Sequence, residues 1–166
     1  MTRDGAHDPR AIANRILDIR EETGEPLTLM QLIKLAYIAD GWSLALLGKP
    51  LARETPEAWL YGPVFRSIYN AFAGVGAKPV TGRANLRGAQ VPVSETFTPE
   101  EENVLRTVVN AYGKLSAYAL SNLTHEPGTP WSKAFEKGLY SKIDTQEMRA
   151  HFEGLKGKRL DQHAAA

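Results

Sequence analysis

The chain has 166 residues, a formal net charge of +1, 43% hydrophobic and 23% charged residues, and no cysteine. That length suits about one domain, which buries roughly two thirds of its unfolded surface and can hold a core without staples. Charge is balanced along the chain, with ten basic and nine acidic side chains over residues 1–83 and ten of each over 84–166, so no electrostatic footprint for nucleic acid or an anionic membrane is visible.

Without cysteine there can be no disulfide, thiolate zinc site or thiol catalysis, which agrees with a reducing cytoplasm. The opening "MTRDGAHDPR" is too polar for a signal peptide. The apolar run from Leu35 to Leu47 is interrupted by Asp40 and falls short of a membrane span. The expectation is a cytoplasmic protein of bacterial type, without a membrane partner, ordered throughout except at its ends.

Asp8 followed by Pro9 reads as an N-cap with proline in the first turn, and Ile12, Ile16, Leu17 and Ile19 continue at near-helical spacing to Thr23-Gly24. Thr28 and Gln31 form a capping box for a second helix that is apolar almost all round, the mark of a buried central helix. Gly48-Lys49-Pro50 stops it. Ala58 to Tyr61 reads as a short strand with Trp59 and Tyr61 on one face. Gly62-Pro63 then restarts a helix carrying Val64, Phe65, Ile68, Tyr69 and Phe72. Residues 77–97, rich in Gly, Pro and β-branched side chains, read as a loop or irregular hairpin.

Thr98-Pro99-Glu100-Glu101 repeats the cap, first-turn proline and capping-box pattern ahead of Val104, Leu105, Val108, Val109 and Tyr112. Ser116, Thr129 and Asp144 cap three shorter helices. The expected fold is mainly α, a single compact helical domain of about seven helices over residues 1–155, with a short β-hairpin or irregular β excursion. Residues 156–166, "KGKRLDQHAAA", lose periodicity and read as a flexible C-terminal tail.

Motifs for chemistry are sparse. His7, His125, His151 and His163 are isolated, with no pair spaced to place two ligands on one helix face, so neither a metal nor any other cofactor is expected. Gly74-x-Gly76 lacks the third glycine of a phosphate loop. Ser121, Thr124, His125 and Glu126 are the tempting nucleophile-and-base neighbours, but no nucleophile elbow surrounds them. His125 is explained more simply as a group on the negative end of a helix dipole, and no enzyme is expected. Asp40 inside the apolar helix requires an arginine partner or a capping role, since a buried carboxylate is costly alone. The alternative readings are a DNA-binding or prophage-associated regulatory protein, whose recognition helix would offer mainly Gln31 and Lys34 to the bases, and, behind it, a hydrolase centred on His125.

Four ordered stretches carry a resemblance. "PRAIANRILDIREETGEPLTLMQLIKL", "LIKLAYIADGWSLALLGKPL", "EAWLYGPVFRSIYNAF" and "LSNLTHEPGTPWSKAF" together cover most of residues 9–136, and they resemble the Panacea-domain proteins, the group that includes SocA-type antitoxins and phage-associated GepA-like proteins. Trp42, Trp59, Gly62, Pro63, His125 and Trp131 lie within these stretches, as does Asp40. Leu60 stands where the family pattern often has a basic residue, and Phe65-Arg66 replaces a small apolar residue and proline.

The resemblance implies a helical antitoxin that binds a toxin encoded by an adjacent gene. The SocA branch further implies an adaptor that delivers the toxin to the ClpXP protease. The terminal Ala164-Ala165-Ala166 reads either as a disordered end or as a ClpX signal. Because Trp, Tyr and Arg concentrate interface energy, Tyr61, Arg66, Tyr69 and Leu60 are the candidate partner contacts, and Trp59, Phe65, Ile68 and Phe72 are assigned to the core. An aromatic patch would equally serve a homodimer.

Overall fold

The computed structural model describes residues 2–157. Seven helices occur among them: α1 Pro9–Thr23, α2 Leu29–Leu47, α3 Arg66–Ala71, α4 Pro99–Tyr112, α5 Ala117–His125, α6 Pro130–Glu136 and α7 Thr145–Leu155. One antiparallel hairpin, β1 Glu57–Trp59 with β2 Gly62–Val64, interrupts the helical order. The expectation of a mainly α domain therefore holds.

Local chemistry sets the helix ends. Asp8 caps α1 by accepting from Arg10 N, and Thr28 with Gln31 and Thr98 with Glu101 close reciprocal capping boxes on α2 and α4. Ser116, Thr129 and Asp144 each accept from the backbone N–H three residues on. These bonds satisfy amides that no helical carbonyl can reach. Gly48 ends α2 at φ 72°, a left-handed cap.

Helix α2 is the axis of the molecule, packed by α1, α4, α5 and α7. That enclosure is why it lacks a polar face: Leu32, Leu35, Ala36, Ile38, Ala39, Trp42 and Leu44 are all buried. Trp42 donates its Nε1–H to Tyr112 Oη at 3.1 Å, so its one polar atom is satisfied inside the core. Gly41 is where Phe152 of α7 lies directly on the backbone of α2.

The N-terminal segment departs from expectation. Instead of fraying, it is folded onto the core: His7 exchanges backbone hydrogen bonds with Leu51 and Arg53, and Arg3 is buried. Arg3 Nη1 donates to both carboxylate oxygens of Asp40 at 3.2 and 3.0 Å, and the N–H groups of Leu51 and Ala52 each donate to Asp40 Oδ1 at 2.9 Å. Burial pushes the Asp40 carboxyl up, while Arg3 and the two amides favour the carboxylate. The arginine partner expected for Asp40 exists, and it comes from the segment assumed to be loose. The expected C-terminal tail lies almost wholly outside the described residues, as do Ala164, Ala165, Ala166 and His163.

Residues 84–93 form the irregular hairpin expected in the long excursion, with Leu86 N donating to Val91 O and Val93 N to Ala84 O. Buried Asn14 of α1 clasps it, donating to Ala84 O and Val93 O and accepting from Ala84 N.

Candidate functional site: a clamped hairpin beside an apolar groove

The stretch from Glu57 to Tyr69 folds differently from its sequence reading. Gly62-Pro63 does not restart a helix. The helix begins only at Arg66, and Gly62, Pro63 and Val64 pair with Trp59, Ala58 and Glu57 as a second strand. Leu60 and Tyr61 are the turn between the strands, so Tyr61 is not a strand neighbour of Trp59. Proline fits here because it occupies an edge of a short hairpin, where its missing N–H leaves no ladder bond unmade. Gly62 completes the reversal at φ 119°, a conformation that a Cβ would strain.

Three helices hold the backbone of this hairpin through side chains. Trp131 Nε1 of α6 donates to Trp59 O at 2.7 Å, Ser121 Oγ of α5 to Tyr61 O at 2.6 Å, and Lys34 Nζ of α2 to Pro63 O at 2.9 Å. Alternate carbonyls along one strand-turn-strand run are thus each taken by a different helix. On the other edge of β1, Ala58 N donates to Ser141 O and Tyr140 N to Ala58 O. Three of the stretches that carry the family resemblance meet at these bonds.

With its backbone clamped, the hairpin projects its turn. Leu60 is 58% and Tyr61 64% exposed, and Tyr69 on α3 is 43% exposed. Phe65, Ile68 and Phe72 are buried as expected, but Trp59 is only half-buried. Its ring lies 4.9 Å from Tyr69 and 5.3 Å from Tyr140, and the Arg66 guanidinium sits 5.1 Å from its centroid and 5.4 Å from that of Tyr140. Arg66 is held there by Glu57 at 2.7 Å, and the same carboxylate accepts from Trp59 Nε1 at 3.0 Å. Burial works against the charge on Glu57, but the bonds to Arg66 and Trp59 hold its carboxyl below the ordinary value. The result is a rigid aromatic wall with a cation over it.

Sequence reasoning missed Leu139 and Tyr140, both 50% exposed. Two large apolar residues straight after Gly138, where no helical period calls for them, were the available signal. Tyr140 adopts φ 71°, the left-handed region that non-glycine residues rarely occupy.

Between this wall and α2 lies a groove of about 620 Å³, bordered by Leu29, Met30, Ile33, Tyr61, Tyr69 and Tyr140, with Lys34 also among its lining residues. Lys34 is fully buried, and burial pulls its pKa from 10.5 down to about 7. A wider polar cleft of about 1000 Å³ lies elsewhere, but two of its arginines are already tied to carboxylates, Arg10 to Asp8 and Arg83 to Asp18 and Glu21. The apolar groove with exposed aromatics is the stronger candidate for recognition.

Lys34 supports a direct test. The unfolded chain binds its proton up to its ordinary pKa, whereas the folded protein releases it near 7. Stability is therefore expected to rise with pH between those values, by up to about 1.4 kcal/mol per unit from this group. In a Lys34→Met variant that part of the slope should vanish. Urea unfolding of both proteins at several pH values from about 7 to 9 checks it; parallel profiles would show that Lys34 titrates normally.

The other tempting groups are engaged internally. Ser121 gives its hydroxyl proton to Tyr61 O, and Thr124 Oγ1 donates within its own helix, to Leu120 O and Ser121 O. His125 ends α5 with its ring 5.2 Å from Trp131 and its Nδ1 buried without a hydrogen-bond partner among the described residues. Trp131 in turn stacks on Phe135 at 4.7 Å. Gln31 Nε2 donates to Leu115 O, so both polar side chains that a DNA-reading α2 would offer are used inside the protein. Among the described residues no cluster of three or more His, Asp or Glu could hold a metal ion, and no helix is long and apolar enough to cross a membrane.

Residues 32–132 match the family model described as Antitoxin SocA-like, Panacea domain. The chain belongs to this family. It is 34% identical over 128 residues to the protein named Antitoxin SocA of Caulobacter vibrioides, an alignment covering 75% of this chain and 68% of that relative. No solved structure matches significantly. The matched region of this Panacea domain begins within α2 and runs through the hairpin and α5 into α6, so it contains Lys34, Ser121 and Trp131, the three side chains that hold the hairpin carbonyls.

Proposed function

We propose that this protein is an antitoxin that neutralises a toxin encoded by an adjacent gene through direct protein–protein binding, without catalysis. Family membership and the relationship to Antitoxin SocA support antitoxin function. The observation that carries the binding mode is the exposed Leu60 and Tyr61 on a backbone held from three sides, with exposed Tyr69 of α3 lining the same groove. Rigid aromatic anchors lose little conformational entropy on binding, and interface energy concentrates in a few Trp, Tyr and Arg side chains. Masking a toxin at the nanomolar level takes about 12 kcal/mol and about 800 Å² on each partner.

The proposed contacts are Tyr61, Tyr69, Leu60 and Arg66. Tyr61→Ala and Tyr69→Ala are each expected to weaken toxin binding about thirtyfold, corresponding to a loss of about 2 kcal/mol. The chain is proposed to act in the cytoplasm. Co-expression with the neighbouring gene product, followed by co-purification and rescue of growth, tests the reading. Rescue with both tyrosines replaced and unchanged affinity would remove the hairpin from the interface, and the absence of rescue by the native protein would remove the antitoxin reading.

Delivery of the bound toxin to ClpXP, which the resemblance to SocA-type antitoxins implies, is proposed as a further step. Toxin turnover in cells with and without ClpX separates delivery from masking: a toxin whose lifetime does not change without ClpX is only masked. A homodimer through the same patch would show as a concentration-dependent mass that the two tyrosine variants abolish.

A further inference from the structure

The N-terminal segment is fastened to the rest of the chain at a second point besides Arg3. The His7 ring, its side chain 14% exposed, stands between two carboxylates: Nδ1 lies 2.7 Å from Glu95 Oε1, and Nε2 lies 3.0 Å from Glu101 Oε1. Phe97 covers the ring, with centroids 4.3 Å apart. Glu95 Oε2 also accepts from Asp8 N at 2.9 Å, and Glu101 Oε1 from Thr98 N at 2.8 Å. One imidazole thus ties the start of the chain to the stretch before α4 and to the first turn of α4 itself.

An ionised carboxylate only accepts, so two of them require two ring N–H donors, and an imidazole offers both only when it carries two protons. The other charged groups nearby do not change that count. Lys49 Nζ lies 3.6 Å from Glu101 Oε2, and Asp4 borders the same small cleft as these two. Asp8 is held by Arg10, and Arg53, whose backbone N–H donates to His7 O, approaches Asp8 only to 3.8 Å. Burial works against the charge on Glu101, but the Thr98 amide, His7 and Lys49 hold its carboxyl below the ordinary value, so it is an acceptor at neutral pH.

We propose that His7 is a proton-operated latch: doubly protonated, it fastens residues 2–8 to the start of α4, and on losing a proton it releases the Glu95 side. The asymmetry comes from burial. A neutral ring keeps one N–H, and its bare nitrogen then faces a carboxylate oxygen, lone pair against lone pair. Glu101 is 5% exposed and closes the capping box with Thr98, so it retains the N–H at Nε2. Glu95 is 31% exposed and can turn into water, taking with it the acceptor of the Asp8 amide at the entrance to α1. The latch is closed while His7 is charged and opens on the Glu95 side as pH rises through its titration, while Arg3 and the backbone bonds to Leu51 and Arg53 still hold.

NMR of the full chain from about pH 5.5 to pH 8.5 tests the latch. At the low end both ring nitrogens of His7 are expected to carry protons. At the high end the proton remains on Nε2, and exchange of the Asp8 amide hydrogen, corrected for its intrinsic pH dependence, is expected to be about tenfold faster. Lys34 acts on global unfolding, and in the opposite direction, so it does not produce this local change. Glu95→Gln supplies a partner suited to the neutral ring: its NH2 donates to the bare Nδ1 while its oxygen accepts from Asp8 N. The faster exchange at high pH is expected to vanish in that variant, with the fold unchanged. A remaining proton on Nδ1 instead of Nε2, a corrected Asp8 exchange that does not change with pH, or the same acceleration in Glu95→Gln each overturns the proposal.

Discussion

Replacing Asp40 by alanine is expected to destabilise the protein by about 3–5 kcal/mol, a large part of the 5–15 kcal/mol that holds an ordinary domain together. The loss has two parts. Arg3, only 8% exposed, would keep its charge without a counter-ion, and the amides of Leu51 and Ala52 would lose their acceptor. An exposed ion pair would contribute far less, since water screens it. The comparison that isolates the mechanism is Arg3→Met together with Asp40→Leu. This pair removes both charges and should cost much less than Asp40→Ala, although the two amides remain without an acceptor. Denaturant unfolding with unchanged m-values checks this; a double variant as unstable as the single would show that the amides, not the buried charge, dominate. The single variant is also expected to expose residues 2–8 to proteolysis, because Arg3 ties that segment to α2 and α7 through Asp40 and Thr145.

Gly41→Ala is expected to be comparably severe, and against the usual direction of helix propensity. In a free helix the change would stabilise by about 1 kcal/mol. Here the new methyl would occupy the position of the Phe152 ring, well inside contact distance, so α7 must move away from α2 or the ring must leave the core. Overpacking costs about 1–3 kcal/mol, and ejecting a buried phenylalanine about 3–5 kcal/mol. Phe152 also meets Trp42 edge-on at 5.4 Å and Tyr37 at 6.2 Å, so those aromatic contacts go with it. Thermal unfolding of Gly41→Ala, Phe152→Ala and the double variant tests the cause. The double variant should be no worse than Phe152→Ala alone; additive losses would show that the methyl and the ring do not compete.

Much of the helical frame was legible because its signals are local. Asp8-Pro9, the Thr28–Gln31 and Thr98–Glu101 boxes, and Ser116, Thr129 and Asp144 each cap the helix they announce, since a cap needs only residues within one turn. The all-round apolarity of α2 announced a central helix for the same reason: enclosure from every side leaves no polar stripe to keep. Family membership was legible too, because four ordered stretches are more specific than any one motif.

The candidate site was read only in part. Tyr61, Tyr69, Leu60 and Arg66 were candidate partner contacts, and they are at the surface. The helix expected to restart at Gly62-Pro63 is not there: these residues belong to a strand whose pairing partner lies within three to seven residues but whose helical alternative has the same local signature of glycine, proline and apolar periodicity. Trp59 was placed in the core on its size, yet it is only half-buried: it packs against the core on one side, while Glu57 and Arg66 hold it as part of a wall on the other.

Residue order alone determined the starts of every described helix except α3, the buried central helix, the anomaly at Asp40 and the kinship with Panacea-domain antitoxins. Tertiary structure decided which partner answers each polar group: Arg3 for Asp40 across 37 residues, Trp131 for Trp59 O across 72, Ser121 for Tyr61 O across 60, and Lys34 for Pro63 O across 29. The physical reason is range. A cap or a helical stripe is satisfied within a turn or two, whereas a buried donor or carbonyl takes whatever partner the packing of distant elements brings to it, and no local pattern records that choice.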